Sequence, residues 1–131
     1  MKVLIDTHIL LWALISPQKL TVSQKKILED GKNEIYVSAI SLWEISLKHS
    51  LGKLELENVT IKNILKAITD TGFELLDLRS VEAISFHELP KLHNKDPFDR
   101  MLICQAIYND FTFMSQDSKL EDYKKLGLIL I

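Results

Sequence analysis

Cysteine and long apolar runs are scarce in this sequence. Cys104 is the single cysteine among 131 residues, so neither an intrachain disulfide nor a cysteine metal cluster can form, and a reducing compartment is expected. The longest apolar run, residues 9–15, is far shorter than the ~20 residues of a membrane-spanning helix. Lys2 and a short apolar run leading into Asp6 do not have the form of a signal peptide. We therefore expect a soluble, cytoplasmic protein.

An excess of charge of one sign is also missing. The chain has 16 basic and 18 acidic residues and a formal net charge of -2, which excludes a disordered charged tail. This balance argues against coating of nucleic acid by charge alone, but it permits local binding of RNA. There is no repeat, low-complexity tract or linker, and the 47% hydrophobic content is typical of one buried core. We expect a single domain over residues 1–131.

Short β-branched and apolar runs alternate with segments of helical spacing. The predicted strands are residues 2–5, 34–37, 73–76, 112–115 and 128–131. Strands that alternate with helices indicate a parallel sheet covered on both faces. The predicted fold class is therefore α/β, with about five short parallel strands flanked by helices.

Helix boundaries are marked by capping residues. Ser41 and Glu44 have the S-x-x-E spacing of a capping box, and Gly52 is expected to end that helix. Asp96 is predicted to be the N-cap and Pro97 the first residue of a helix that runs to Asn109.

Another helix is predicted to open at Thr60 and to end before Gly72. Its expected apolar face consists of Ile61, Ile64, Leu65 and Ile68.

Four acidic residues follow the strands or begin the helices after them: Asp6, Glu44, Asp99 and Asp117. Ligand sites in parallel α/β sheets form at the carboxyl ends of the strands. Carboxylates that converge there repel one another unless protons or a cation offset the charge. Oxygen ligands favour Mg²⁺ or Mn²⁺, and such an ion assists attack of water on a phosphodiester. Phosphodiester hydrolysis is the chemistry that fits best.

The same positions resemble the PIN-domain family, and within it the VapC-type toxins of prokaryotic toxin–antitoxin pairs. VLIDTH (residues 3–8) is similar to the first acidic motif and SLWEI (41–45) to the second. HNKDPFDRMLI (93–103) resembles the third motif of one branch, and SQD (115–117) the fourth, which often has threonine at the position of Ser115. The four motifs occur in the family's order and span nearly the whole chain.

The resemblance implies a PIN-like α/β/α domain and a metal-dependent endoribonuclease. It implies that Asp6, Glu44, Asp99 and Asp117 are catalytic residues that hold Mg²⁺, with Mn²⁺ as a substitute. It further implies cleavage of single-stranded or loop RNA that leaves a 5′-phosphate, a homodimer, and inhibition by a small antitoxin protein.

Each acidic residue also has a purely structural interpretation. Asp6 can be a turn former after a strand, and Glu44 can be the glutamate of its capping box. Asp96 and Asp99 compete for the metal, and we assign Asp96 to the cap and Asp99 to the metal. Asp117 can instead cap a short helix over residues 118–123.

Basic and aromatic residues near the motifs are weaker candidates. Arg100, Lys95 and His93 are candidate substrate-binding residues, since cations there can hold RNA phosphates. His8 and His93 are also considered as general bases, although a lone histidine is more often a hydrogen-bonding loop residue.

A further set is ambiguous. Lys48 and Lys53 flank the end of the second motif's helix and can be either phosphate ligands or solvated lysines. Leu11, Trp12 and Trp43 can line the core, a dimer face or an antitoxin groove, and the core is the default expectation.

Two other functions compete with the nuclease. A receiver-like signalling domain would use Asp6 for the metal, Asp77 as phosphoacceptor and Ser115 as sensor, but it would carry a paired acid where this chain has Thr7. A non-catalytic PIN-like binding module would retain the fold without cleaving RNA; the presence of all four acids argues against it.

Overall fold

Five parallel strands form the central sheet in a computed structural model that describes residues 1–92 and 96–131. The strands are β1 (Lys2–Ile5), β2 (Glu34–Ser38), β3 (Glu74–Leu76), β4 (Thr112–Met114) and β5 (Ile129–Leu130). Their order in the sheet is β3-β2-β1-β4-β5, and every neighbouring pair is parallel. The five predicted strand segments and their parallel arrangement are confirmed.

Strand β1 lies at the centre and is buried on both faces. Because successive side chains of a strand point to opposite faces, Val3 and Ile5 join one hydrophobic core while Leu4 joins the other. In register with them, Ile35 of β2 packs on the first face and Phe113 of β4 on the second. This burial on both sides explains the uninterrupted apolar sequence of the strand.

Helices cover both faces of the sheet, as predicted. They are α1 (Thr7–Ile15), α2 (Val22–Glu29), α3 (Ala39–Ser50), α4 (Ile64–Asp70), α5 (Ser80–Ser85) and α6 (Pro97–Tyr108). Buried residues of α1 and α4 belong to the core that contains Val3, whereas those of α6 belong to the core that contains Leu4. Within residues 1–92 and 96–131, no helix has the length and apolar character that crossing a membrane requires.

The start of α3 differs from the prediction. Ser38 is the N-cap, with its hydroxyl accepting a hydrogen bond from the Ile40 amide at 3.0 Å. The capping box expected at Ser41 and Glu44 is therefore wrong, because β2 leads into the helix without an intervening loop. Glu44 lies in the middle of α3, so capping does not explain its presence.

Other helix boundaries agree with the sequence. The Asp96 carboxylate accepts a hydrogen bond from the Phe98 amide at 2.8 Å and caps α6. Thr60 caps a 3₁₀ turn (Ile61–Asn63) that continues into α4. Leu65 departs from the expected apolar face, because it is 48% exposed.

The strand order removes the receiver-like alternative. Receiver domains have the order 2-1-3-4-5, whereas this sheet has β1 between β2 and β4. In a receiver, Asp77 would follow the central strand; here it follows the edge strand β3. The assignment of Asp77 as phosphoacceptor and Ser115 as sensor is therefore wrong.

Candidate active site

Asp6 connects the ends of two neighbouring strands. It directly follows β1 and is 4% exposed. One carboxylate oxygen accepts a hydrogen bond from the Ile9 amide at 2.8 Å and so caps α1. The other accepts from the Ser115 hydroxyl at 2.7 Å and from the Gln116 amide at 3.3 Å, just beyond β4. The structural role considered for Asp6 thus uses one oxygen, while the second points toward β4.

Burial governs the electrostatics of Asp6. Loss of solvent raises the pKa of its carboxyl above the usual range, and the hydrogen bonds from Ile9, Ser115 and Gln116 together with the charge of His8 offset part of this rise. A nearby cation favours the ionised form of such a carboxylate. The site of Asp6 is therefore suited to a positively charged ligand.

Glu44 is buried in the middle of α3, with 2% of its surface exposed. Its Oε1 accepts a hydrogen bond from the Thr7 hydroxyl at 2.6 Å, and the Ser41 hydroxyl lies 3.0 Å from the same Thr7 oxygen. Its Oε2 lies 2.5 Å from the Lys48 ammonium, one helical turn further along α3. Since Thr7 follows Asp6, these contacts bring the first and second acidic motifs together.

Lys48 is influenced by the charges of Glu44 and of two aspartates at the start of α6. The hydrogen bond to Glu44 raises the pKa of the Lys48 ammonium, burial lowers it, and the charges of Glu44, Asp96 and Asp99 raise it further. The two aspartates of the third motif thus lie within electrostatic range of this lysine.

The helices that carry the second and third motifs pack against each other next to these acids. The rings of Trp43 and Phe98 meet edge to face, with centroids 5.1 Å apart. Each ring neighbours a candidate ligand in sequence, Glu44 in α3 and Asp99 in the first turn of α6. The cap assigned to Asp96 is confirmed, while the metal role of Asp99 stays a prediction.

Asp117 has the structural role that the sequence left open. Its Oδ1 accepts a hydrogen bond from the Lys119 amide at 2.9 Å and caps a 3₁₀ segment (Ser118–Leu126). Its own amide donates to the Ser115 hydroxyl at 3.0 Å, and that hydroxyl donates to Asp6. Asp117 is therefore linked to Asp6 through Ser115.

Hydrogen bonds connect three of the four predicted acids along one edge of the sheet. Ser115 joins Asp117 to Asp6, and Thr7 joins the first motif to Glu44. Lys48, which pairs with Glu44, is also influenced by the charge of Asp99. Within the described ranges, however, no three acidic, histidine or cysteine side chains form a ready-made metal-binding group. Internal donors engage both oxygens of Asp6 and of Glu44.

The donor chemistry of this edge fits a hard divalent cation. Carboxylate oxygens of this kind, with hydroxyls beside them, favour Mg²⁺ or Mn²⁺ over zinc. Asp6 and Glu44 are nearly removed from solvent, where an additional positive charge is most effective. Asp6, Glu44, Asp99 and Asp117 stay the predicted ligands of such an ion.

The position of Arg100 argues against its predicted role in substrate binding. Arg100 is 8% exposed, and its guanidinium donates to the Leu89 carbonyl at 2.9 Å and lies 5.0 Å from the centre of the Phe86 ring. It belongs to the buried residues of α6, so its side chain packs inside the fold. A side chain that binds RNA phosphates would have to be accessible from solvent.

The other candidate lysine and histidine residues differ in what the structure shows of them. His93 and Lys95 lie outside the described residues. His8 is exposed, and its ring meets that of Trp12 edge to face at 6.4 Å. Its charge acts on Asp6, so it lies beside the candidate site, and a role as general base stays a prediction.

The sequence did not reveal the roles of three residues at the candidate site. From sequence, Thr7 has no predicted role of its own at the site, Ser41 is predicted to be a cap, and Lys48 is either a phosphate ligand or a solvated lysine. Helical spacing carries a signal for two of them, because Ser41 and Lys48 lie three residues before and four residues after Glu44, on one face of α3. The partnership of Thr7 with Glu44 has no local signal, since it depends on how α3 packs beside β1.

An apolar groove of about 300 Å³ lies beside this edge. Its lining residues come from α3, α5, α6 and their flanking loops: Ile40, Trp43, Leu78, Ala83, Phe86, Pro97, Phe98 and Met101. Trp43 is 60% exposed, contrary to the default expectation that it lies in the core.

Comparisons with known proteins agree with the fold. The model of the PIN domain family matches residues 3–126. A curated relative, ribonuclease VapC22 of Mycobacterium tuberculosis, is 25% identical over 122 residues, which cover 93% of this chain and 92% of the relative.

Solved structures show the same architecture. VapBC2 from Rickettsia felis, bound to a DNA fragment from the promoter, aligns with a TM-score of 0.64 and 18% identity over 100% of this chain and 98% of the matched chain. FitAB bound to the IR36 DNA fragment aligns with a TM-score of 0.65 and 18% identity over 98% and 93%.

Proposed function

The chain belongs to the PIN-domain family, and from this membership we propose that it is a divalent-metal-dependent endoribonuclease, the VapC-type toxin of a toxin–antitoxin pair. The observation that carries the proposal is the linkage of Asp6, Glu44 and Asp117 through Thr7 and Ser115 at the carboxyl edge of the sheet. The curated relative named as a ribonuclease, which matches over nearly the full length of both chains, supports the choice of RNA.

Asp6, Glu44, Asp99 and Asp117 would hold the metal ion, Mg²⁺ or Mn²⁺. When bound, such an ion neutralises charge on the phosphoryl oxygens and favours ionisation of a water. The chain's own residues fix the geometry: Ser115 and the Ile9 amide orient the Asp6 carboxylate, while Thr7 orients Glu44. The buried positions of both acids exclude water from one side of the site and strengthen their electrostatic effect on the scissile phosphate.

In the proposed reaction, a water oxygen attacks phosphorus in line with the bond to the ribose 3′-oxygen. That bond breaks, the 3′-oxygen takes up a proton, and the product carries a 5′-phosphate. In this scheme Asp99 and Asp117, which are less buried than Asp6 and Glu44, would accept the proton that the attacking water loses. Arg100 has no part in this scheme.

Cleavage of a mixed RNA pool tests the proposal. Purified protein is incubated with transfer and ribosomal RNA in Mg²⁺ or Mn²⁺, beside an EDTA sample. Asp99→Asn and Glu44→Gln are compared with Asp70→Asn, a matched loss of charge at a carboxylate that is 62% exposed on α4. We expect discrete metal-dependent fragments from wild type and Asp70→Asn, and at least a hundredfold less from the two site variants.

Two results would count against this assignment. Equal fragments from wild type and Asp99→Asn would show contamination or a wrong ligand. Binding of RNA and Mn²⁺ without cleavage would favour the non-catalytic PIN-like binding module.

The proposed partners are a small antitoxin protein and a second copy of this chain. The structural neighbours VapBC2 and FitAB are described as complexes bound to DNA, which supports an antitoxin partner. The apolar groove beside the acids, with Trp43 and Phe98 in its wall, is a candidate surface for it. Co-expression with the product of the adjacent reading frame should abolish cleavage, and light scattering of the chain alone should give the mass of a dimer.

A further inference from the structure

Lys48 forms an ion pair with a carboxylate that is buried, that of Glu44. Its ammonium is 2.5 Å from Glu44 Oε2, and the side chain of Glu44 is only 3% exposed. A pair between neighbours on a helix surface contributes little to stability. Here one partner is a buried carboxylate, which is costly to leave without a counter-charge.

Two aspartates add negative charge to the surroundings of Lys48. Asp96 and Asp99 at the start of α6 both act on its charge. The ammonium thus pairs with the Glu44 carboxylate and is influenced by the charges of two others. We assign Glu44 and Asp99 to the metal. Thr7 engages the other oxygen of Glu44, so Oε2 is the oxygen at which a cation and the lysine compete.

We propose that Lys48 is a tethered counter-cation that holds Glu44 in the metal-free protein and is displaced from Oε2 when a divalent ion binds. This inference rests on the proposed metal site and assigns the residue that sets its affinity. Lys48 has the freedom to leave, because its side chain is 41% exposed and a lysine stem rotates readily into solvent.

Two opposite effects follow from removing the lysine charge. Without metal, Glu44 loses its counter-charge, and the protein unfolds at a lower temperature. With metal, the ion no longer has to displace the ammonium, and repulsion between two cations disappears. At the effective dielectric of a protein surface, this difference amounts to on the order of tenfold in affinity.

The test compares Lys48→Met with Lys66→Met. Lys66 and Asp70 also form a pair four residues apart, at 2.6 Å, but both side chains are largely exposed. Mn²⁺ affinity is measured by calorimetry and by the electron paramagnetic resonance signal of the free ion, and melting temperature is measured in EDTA. We expect Lys48→Met to bind Mn²⁺ about tenfold more tightly and to melt lower in EDTA, with Lys66→Met close to wild type in both.

A second measurement leaves the chain unchanged. In wild-type protein the Lys48 side-chain ammonium signal, followed by NMR, should move when Mg²⁺ is added, while the Lys66 signal stays. This readout applies even if Lys48→Met does not fold.

Equal or weaker Mn²⁺ binding by Lys48→Met would overturn the inference, and so would a Lys48 signal that stays fixed while Mg²⁺ binds. Wild-type protein that binds no Mn²⁺ would instead overturn the proposed metal site itself, together with this inference. The two failures are distinguishable, because the second is detected with wild-type protein and does not require the Lys48→Met variant.

Discussion

The Thr7 hydroxyl lies 2.6 Å from Glu44 Oε1, which ties the residue after Asp6 to the middle of α3. Thr7→Val keeps the shape but removes the donor, so a buried carboxylate oxygen is left unsatisfied. We expect a loss of about 1–3 kcal/mol in the free energy of unfolding, measured by urea titration.

Thr7→Ser is the matched control for this change, because it retains the hydroxyl and removes only a methyl group. It should keep most of the stability. If the valine and serine variants unfold at the same urea concentration, the hydrogen bond contributes nothing to stability.

A buried carboxylate away from the candidate site gives a second prediction. Glu82 is 0% exposed and accepts hydrogen bonds from the Arg79 amide at 2.8 Å and the Asn109 side chain at 2.5 Å. The bond from Arg79 caps α5, and the bond from Asn109 joins α5 to the end of α6. Glu82→Ala removes the acceptors and should cost about 2 kcal/mol in the free energy of unfolding.

Glu88→Ala provides the comparison for Glu82, since the Glu88 side chain is 75% exposed. It should change stability by no more than about 0.5 kcal/mol. Equal urea midpoints for the two variants would show that the hydrogen bonds of Glu82 contribute nothing to the free energy of unfolding.

The strands and helices were predictable from the sequence, because apolar periodicity and helix-capping residues are local features of a sequence. The alternation of Val3, Leu4 and Ile5 between two cores is visible as a continuous apolar run, and the caps at Thr60 and Asp96 stand in the sequence. The false cap at Ser41 shows the limit of this reasoning. Ser38, three residues earlier, has the same capping chemistry, and tertiary placement decides between them.

The acidic residues of the candidate site were predictable from the sequence. The hydrogen bonds that hold them were less so. The acids could be named because strand ends in a parallel sheet share one edge. Which donors hold them depends on long-range packing, as with Ser115 and Asp6, which are 109 positions apart. The burial of Arg100 likewise follows from the placement of Phe86 and Leu89 against α6, which no local pattern indicates.

Cys104 should be inert in the folded protein. Burial raises the pKa of its thiol to about 11, compared with about 8.5 for an exposed cysteine, and the thiolate is the reactive form. At pH 8 we expect iodoacetamide to leave the folded chain unmodified and to add one group in urea, as read by mass spectrometry. Rapid modification without urea would contradict the burial of this side chain.

The same shift predicts the sign of a pH effect. Since the unfolded thiol ionises at a lower pH than the folded one, stability from this group is present below about pH 8.5 and is lost as pH rises toward about 11. Cys104→Ala should show a smaller fall in the urea midpoint between pH 8 and pH 10 than wild type. An equal fall in both proteins would assign the effect to other groups.

The end of α6 offers a stabilising substitution. Asp110 adopts φ 55° just beyond the C-cap Asn109, and the Phe111 amide donates to the Ala106 carbonyl at 2.9 Å, which completes a Schellman-type end. A residue with a Cβ is strained there and glycine is not. Asp110→Gly should raise the free energy of unfolding by about 0.5–1 kcal/mol, measured by urea titration.

Gly52 provides the reciprocal test of this argument. It has φ 70°, and a Cβ built on it meets no atom within 4 Å. Gly52→Ala therefore changes backbone strain without a steric clash, and it should lower stability by about 1 kcal/mol. Shifts of opposite sign in the two variants would identify backbone conformation as the cause. A loss of stability in Asp110→Gly would mean that the aspartate side chain contributes more than its conformation costs.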